Sequence, residues 1–169
     1  MPENHEETFD LRKLLRRPLE LTLCILLITT VVVTFSQVVF RYVFHQPLSW
    51  SEELARFLFM WIALLGAAYG FKVKSHFAVI FVVKRFGKKA QRLTRHLIVV
   101  TVSAFLIVFI VKSIQYILGA TLHQTAPGTH LSMAFPHSSA PVGGALMLYY
   151  LIKNWWHESR KSHEFLEQV

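Results

Sequence analysis

The chain has a single cysteine, Cys24, and that scarcity removes two classes of chemistry. A lone thiol has no internal partner for a disulfide and none for a CxxC metal or redox site, so disulfide-exchange membrane enzymes are poor candidates. Charge is missing over long distances. No Asp, Glu, Lys or Arg occurs in the twenty residues from Leu21 to Phe40 or in the forty from Ser113 to Ile152. About twenty residues, at a rise of ~1.5 Å each, cross a hydrocarbon core of roughly 30 Å. Runs of this kind exclude an ordinary water-surrounded fold. Acidic residues are scarce, 10 against 18 Lys and Arg, and none sits in the middle of an apolar run. There is therefore no mid-membrane acid suited to ion coupling. Internal repeats are also absent, so nothing indicates that this chain alone encloses an inverted-repeat substrate site.

What is present is apolar sequence, 53% of the 169 residues, with 14% aromatics. We read one all-α integral membrane domain over residues 1–169 with four transmembrane helices, at about 19–43, 50–71, 96–118 and 133–156. A cytoplasmic segment, 1–18, precedes them. A basic amphipathic cytoplasmic segment, 72–95, separates helices 2 and 3, because its apolar patch from Phe77 to Val83 is too short to span. A cytoplasmic tail, 157–169, ends the chain. The first apolar run is too long for a signal-peptide core and is expected to be a retained helix. Leu11, Leu14 and Leu15 at helical spacing either lie along the membrane surface or belong to a frayed tail. The fourth span carries Pro136, Pro141, Gly143 and Gly144, so its first half is expected to be kinked or broken.

The net charge of +8 comes from basic residues gathered beside the apolar runs, a pattern suited to anionic lipid headgroups and not to nucleic acid. Four Lys and Arg precede the first span, eight lie from Lys72 to Arg95, and three, Lys153, Arg160 and Lys161, lie at the end of the last span and in the tail. The positive-inside rule then places both termini and the middle segment in the cytoplasm of a multi-pass membrane protein. Lys84, Arg85, Lys88, Lys89, Arg92 and Arg95 are candidates for binding lipid headgroups; the alternative is that they set topology alone. Trp50 at one side and Trp155 and Trp156 at the other fit interfacial belts. Arg41 and Lys112 either snorkel to an interface or pair with an acid of another subunit. Nine histidines are present, none near the centre of a span, so haem and metal readings are set aside and no catalytic, cofactor or metal residue is assigned.

The segment from Ser49 to His76 is the most informative. Ser49 followed by Glu52 reads as a capping box, and both Glu52 and Glu53 lie at the positive end of the helix dipole. Arg56 follows Glu52 by four residues and Glu53 by three, so one of the two acids is left spare. Ala63, Gly66, Ala67 and Gly70 have small-residue spacings that admit a close helix. That helix is either internal, which we favour, or a partner's. Glu52, Glu53, Arg56, Trp61, Gly66 and Gly70 are thus candidates for a partner or helix-packing interface.

With Trp50, Glu52, Glu53, Arg56, Trp61, the Leu65 to Ala67 step and a basic stretch ending in His76, the segment resembles the small membrane subunit (Q, DctQ-like) of tripartite ATP-independent periplasmic (TRAP) transporters. One departure is that this chain has Phe77, Ala78, Val79 and Ile80 after the histidine, where many members have an acid. The resemblance implies a non-catalytic small permease subunit of a sodium-coupled, binding-protein-dependent transporter for an organic acid such as a C4-dicarboxylate or sialic acid. It implies as partners a large membrane subunit (M), which this chain would brace, and a periplasmic substrate-binding protein (P). The alternative is a membrane anchor for a redox or other enzyme complex.

Overall fold

A computed structural model of the chain describes residues 17–46, 48–73 and 88–167, with the side chains of 88–92, 95 and 157–167 outside that description. The described residues form helices α1 (Pro18–Tyr42), α2 (Ser49–Lys72), α3 (Lys88–Tyr116), α4 (Ala134–His137) and α5 (Ser139–Glu167), with a π-helical turn, Ile117–Thr121, closing α3. α1, α2 and the stretch His96–Thr121 are long and apolar enough to cross a membrane. α5 is as long but less apolar. Its glycines and Asn154 are instead used against neighbouring helices.

Each helix begins and ends for a local reason. Pro18 opens α1 at a position whose N–H has no intrahelical partner. Along α1 the hydroxyls of Thr22, Thr29 and Thr30 donate to the carbonyls of Pro18, Ile25 and Leu26, at 2.9, 2.8 and 2.8 Å. Hydroxyls in an apolar surface are satisfied in this way without water. The break expected near Pro136 and Pro141 falls at Ser138, between α4 and α5. Each proline is the third residue of its helix, where a missing N–H costs nothing. Ser138 and Ser139 donate to the carbonyls of Phe135 and Pro136, both at 2.6 Å, and steady the break.

The helices do not close into a bundle. α1 packs on α2, α2 on α5 and α5 on α3, giving a row in the order α1, α2, α5, α3. Its buried centre is small: Ala68 of α2, Leu106 of α3 and Met147 of α5, with Leu64, Phe71, Val102 and Leu146 around them. Gly143 and Gly144 of α5 make this approach possible. A Cβ at 143 would come within 2.8 Å of the Leu64 Cβ and 3.1 Å of the Leu64 carbonyl oxygen, and one at 144 within 2.9 Å of Ile110. α1, at one edge, buries only Leu19.

One sequence expectation is corrected here. The capping box is not formed: the residue before the helix is Leu48, without a side-chain cap, and Ser49 is already helical. Glu52 is thereby one position too far along to reach back, and Ser51 takes the local role by donating to the Leu48 carbonyl at 2.7 Å. The third helix begins at Lys88, ahead of its apolar stretch His96–Thr121, so the last turns of the basic segment are continuous with the span. Residues 1–16, Pro47 and 74–87, and with them Lys84 and Arg85, lie outside the described residues, as do the side chains of Lys88, Lys89, Arg92 and Arg95.

Candidate functional site

The first turn of α2 separates its two glutamates. Residues one apart on a helix point about 100° away from each other, so Glu52 and Glu53 meet different surroundings. Glu52 faces outward and accepts from Arg56 Nη2 at 3.1 Å, both side chains being exposed. Glu53 turns toward the connection between α3 and α4. Its Oε1 accepts the Gly128 N–H at 2.9 Å, and its Oε2 accepts the Thr129 N–H at 2.9 Å and the Thr129 hydroxyl at 3.1 Å. The spare acid thus has its oxygens satisfied by a loop, not by a second base. Successive backbone N–H groups that converge on one carboxylate form an anion-binding concavity.

The loop is shaped to present those donors. Thr125 and Ser132 form an isolated antiparallel bridge, with the Ala126 N–H donating to the Leu131 carbonyl at 2.8 Å and the Met133 N–H to the Gln124 carbonyl at 2.9 Å. His130 closes the turn at φ 55°. Gly128 is required by space: a Cβ there would lie 3.1 Å from the Ser49 carbonyl oxygen and 3.2 Å from the Glu53 carboxyl. Trp61, two turns further along α2, has its ring centre 6.0 Å from that of Phe135 in α4, and its buried indole N–H donates no hydrogen bond.

The opposite end of α2 is fastened by different chemistry. Lys72 Nζ donates to Glu20 Oε1 of α1 at 3.0 Å, with Arg17 at 3.4 Å from the same carboxylate. Asn154 Nδ2 of α5 donates to the Phe71 carbonyl at 2.8 Å, satisfying one of the carbonyls a helix end leaves without a partner. The His96 ring meets Trp155 edge-on at 6.1 Å. α2 is therefore held at its Ser49 end by the α3–α4 loop and at its Lys72 end by α1 and α5.

The six interface candidates consequently divide. Glu53 and Trp61 face inward, toward the chain's own loop and α4. Glu52, Arg56, Gly66 and Gly70 lie on the other side. The close internal helix favoured from sequence for the small residues is not found among the described residues at Gly66 or Gly70, where a Cβ would meet nothing within 4 Å. Gly128, Thr129, Glu20 and Asn154 were missed by sequence reasoning. The only signal for the first two was the unpaired acid of the Glu52–Glu53 pair. On α3, Lys112 Nζ donates to Gln115 at 3.2 Å on an exposed face. Among the described residues no three His, Cys, Asp or Glu side chains converge as a metal site would require.

Three helices able to cross a membrane, with an open row of packing, define a multi-pass membrane protein. The sequence model of the DctQ component of tripartite ATP-independent periplasmic transporters matches residues 30–161, and the chain belongs to that family. It is 28% identical over 121 residues to the sialic acid TRAP transporter permease protein SiaT of Haemophilus influenzae, covering 72% of this chain and 20% of that protein. It is 28% identical over 139 residues to the sialic acid TRAP transporter small permease protein SiaQ of Vibrio cholerae, covering 82% and 80%. It is 30% identical over 83 residues to the C4-dicarboxylate TRAP transporter small permease protein DctQ of Vibrio cholerae, covering 49% and 36%. The chain thus spans about a fifth of SiaT and most of SiaQ. It is an inner-membrane transporter component and not an enzyme, and the anchor-subunit alternative has no support.

Proposed function

We propose that the chain braces a large permease subunit in a sodium-coupled, binding-protein-dependent transporter that takes up an organic acid, a C4-dicarboxylate, sialic acid or similar carboxylate. The observation that carries this reading is the open row of helices. A protein that moved substrate by itself would need an enclosed polar site at mid-membrane, whereas here the paired polar groups lie at the two ends of α2 and the buried centre is small and apolar. A one-layer row widens the membrane footprint of whatever it is attached to. Its partners in this reading are the large subunit, the periplasmic substrate-binding protein and membrane lipids.

The proposed topology has four spans. α5 starts beside the loop that Glu53 holds and reaches the Lys72 end of α2 by Asn154, so a bilayer crossed by α2 is crossed by α5 too. Both termini and the basic segment 72–95 are assigned to the cytoplasm on the distribution of Lys and Arg. Lys84, Arg85, Lys88, Lys89, Arg92 and Arg95 then meet anionic headgroups, and the Gly128–Thr129 loop faces the periplasm.

Reconstitution tests this reading. Proteoliposomes that contain this chain, its large subunit and the binding protein are expected to take up the acid in response to an inward sodium gradient, and to lose uptake when this chain is omitted. Undiminished uptake without it would sink the proposal.

A further inference from the structure

α2 has two sides of opposite character. Phe57, Leu65 and Ala68 are buried against the neighbouring helices. At 100° per residue, Glu52, Arg56, Phe59, Ala63, Gly66 and Gly70 fall on the other side within an arc of about 80°. This strip runs the length of the helix and is left open by the described residues: Phe59 is 65% exposed, and an added Cβ at Gly66 or Gly70 has nothing within 4 Å.

We propose that this strip is the seat of one transmembrane helix of the large permease subunit, a deepening that rests on the bracing role above. The outward surfaces of the row are not alike. α1 and α3 present large apolar side chains, among them Ile28, Phe35, Val100 and Phe105, each more than half exposed. Lipid chains accept such a surface without any special shape. A strip of Ala63, Gly66 and Gly70 offers lipid little contact area, yet it lets a second backbone approach closely, where dispersion and Cα–H contacts accumulate. At the head of the strip the exposed Glu52–Arg56 pair supplies one acceptor and one donor face. Such a pair costs free energy against bare hydrocarbon and is accommodated by a partner helix that ends in complementary polar groups.

SiaT adds an independent reason to name the occupant. There the matched region is 20% of a single permease chain, so the other four-fifths of that polypeptide is a larger body tethered to the same unit. A partner of that size beside a one-layer row must cover one of its faces. The face of α2 is the one on which Ala63, Gly66 and Gly70 leave room for another backbone.

Three phenylalanines provide a matched test. Phe35 of α1, Phe59 of α2 and Phe105 of α3 are 68%, 65% and 65% exposed, and each is replaced in turn by photoreactive benzoylphenylalanine in the chain co-expressed with its large subunit. Irradiation in membranes is expected to join the large subunit to position 59, and to give only lipid adducts at 35 and 105. Adducts to the large subunit from 35 or 105 but not 59 would overturn the assignment of the face while leaving the bracing role intact. An adduct from 59 to a second copy of this chain would also overturn it. Failure of the large subunit to co-purify with the unmodified chain would instead strike the bracing role itself. As a second readout, Gly66→Leu is expected to lower the yield of complex about tenfold or more with the melting of the isolated chain unchanged; an unaltered yield would contradict the proposal.

Discussion

Two pairs of glycines lie on adjacent helices and do opposite things. Gly143 and Gly144 of α5 let Leu64 and Ile110 approach so closely that a single added carbon would collide. Gly66 and Gly70 of α2 face open space. Both pairs belong to apolar helices rich in small residues, and in water both would be read as packing positions. The contrast shows that in a membrane protein a small residue marks closeness to some helix without saying whose. The first pair builds the row, and the second is the one we propose for another molecule.

The comparison can be broken most severely at Gly143. Gly143→Leu drives a side chain into the Leu64 backbone, which cannot step aside as a side-chain tip can. We expect a loss of about 1–3 kcal/mol or more, read as a lower melting temperature of the isolated chain in detergent. Next in size is Glu53→Gln. An amide retains an acceptor oxygen but sets an NH2 group against the Gly128 or Thr129 donors. Amide hydrogen exchange at Gly128 and Thr129 is expected to rise roughly tenfold or more, since hydrogen bonds to charged groups are the strong ones. Lys72→Ala removes the link between α1 and α2, and is expected to lower the melting temperature by less than Gly143→Leu does, because α1 keeps its contacts along the rest of α2. Arg56→Ala should have the smallest effect on the isolated chain. Exposed i,i+4 pairs contribute about 0.3–0.5 kcal/mol, so its melting is expected to stay where it is while complex formation declines.

Much of the fold is legible in the sequence because the bilayer imposes length. Runs without charge mark the spans, and Pro136 and Pro141 mark the broken start of the last helix. The order of packing is not legible. In lipid every face of a helix can be apolar, so the periodicity that identifies a core in water carries little information about which helices touch. The row α1, α2, α5, α3 appears only in three dimensions. At the site, the sequence places Glu52, Glu53 and Arg56 together and leaves one acid over, but its partners lie 75 and 76 residues away in the Gly128–Thr129 loop. The capping box fails for a register reason: the helix starts one residue earlier than Ser49 as a cap would allow. The small-residue strip is visible as spacing, while its openness depends on where α1 and α5 sit.

The most direct measurement sets complex yield against isolated-chain melting for Gly66→Leu and Gly143→Leu side by side. An open face reserved for the large subunit predicts that Gly66→Leu keeps the wild-type melting temperature and loses the complex, whereas Gly143→Leu melts early even without a partner. A lowered melting temperature for Gly66→Leu together with an intact complex would contradict the account.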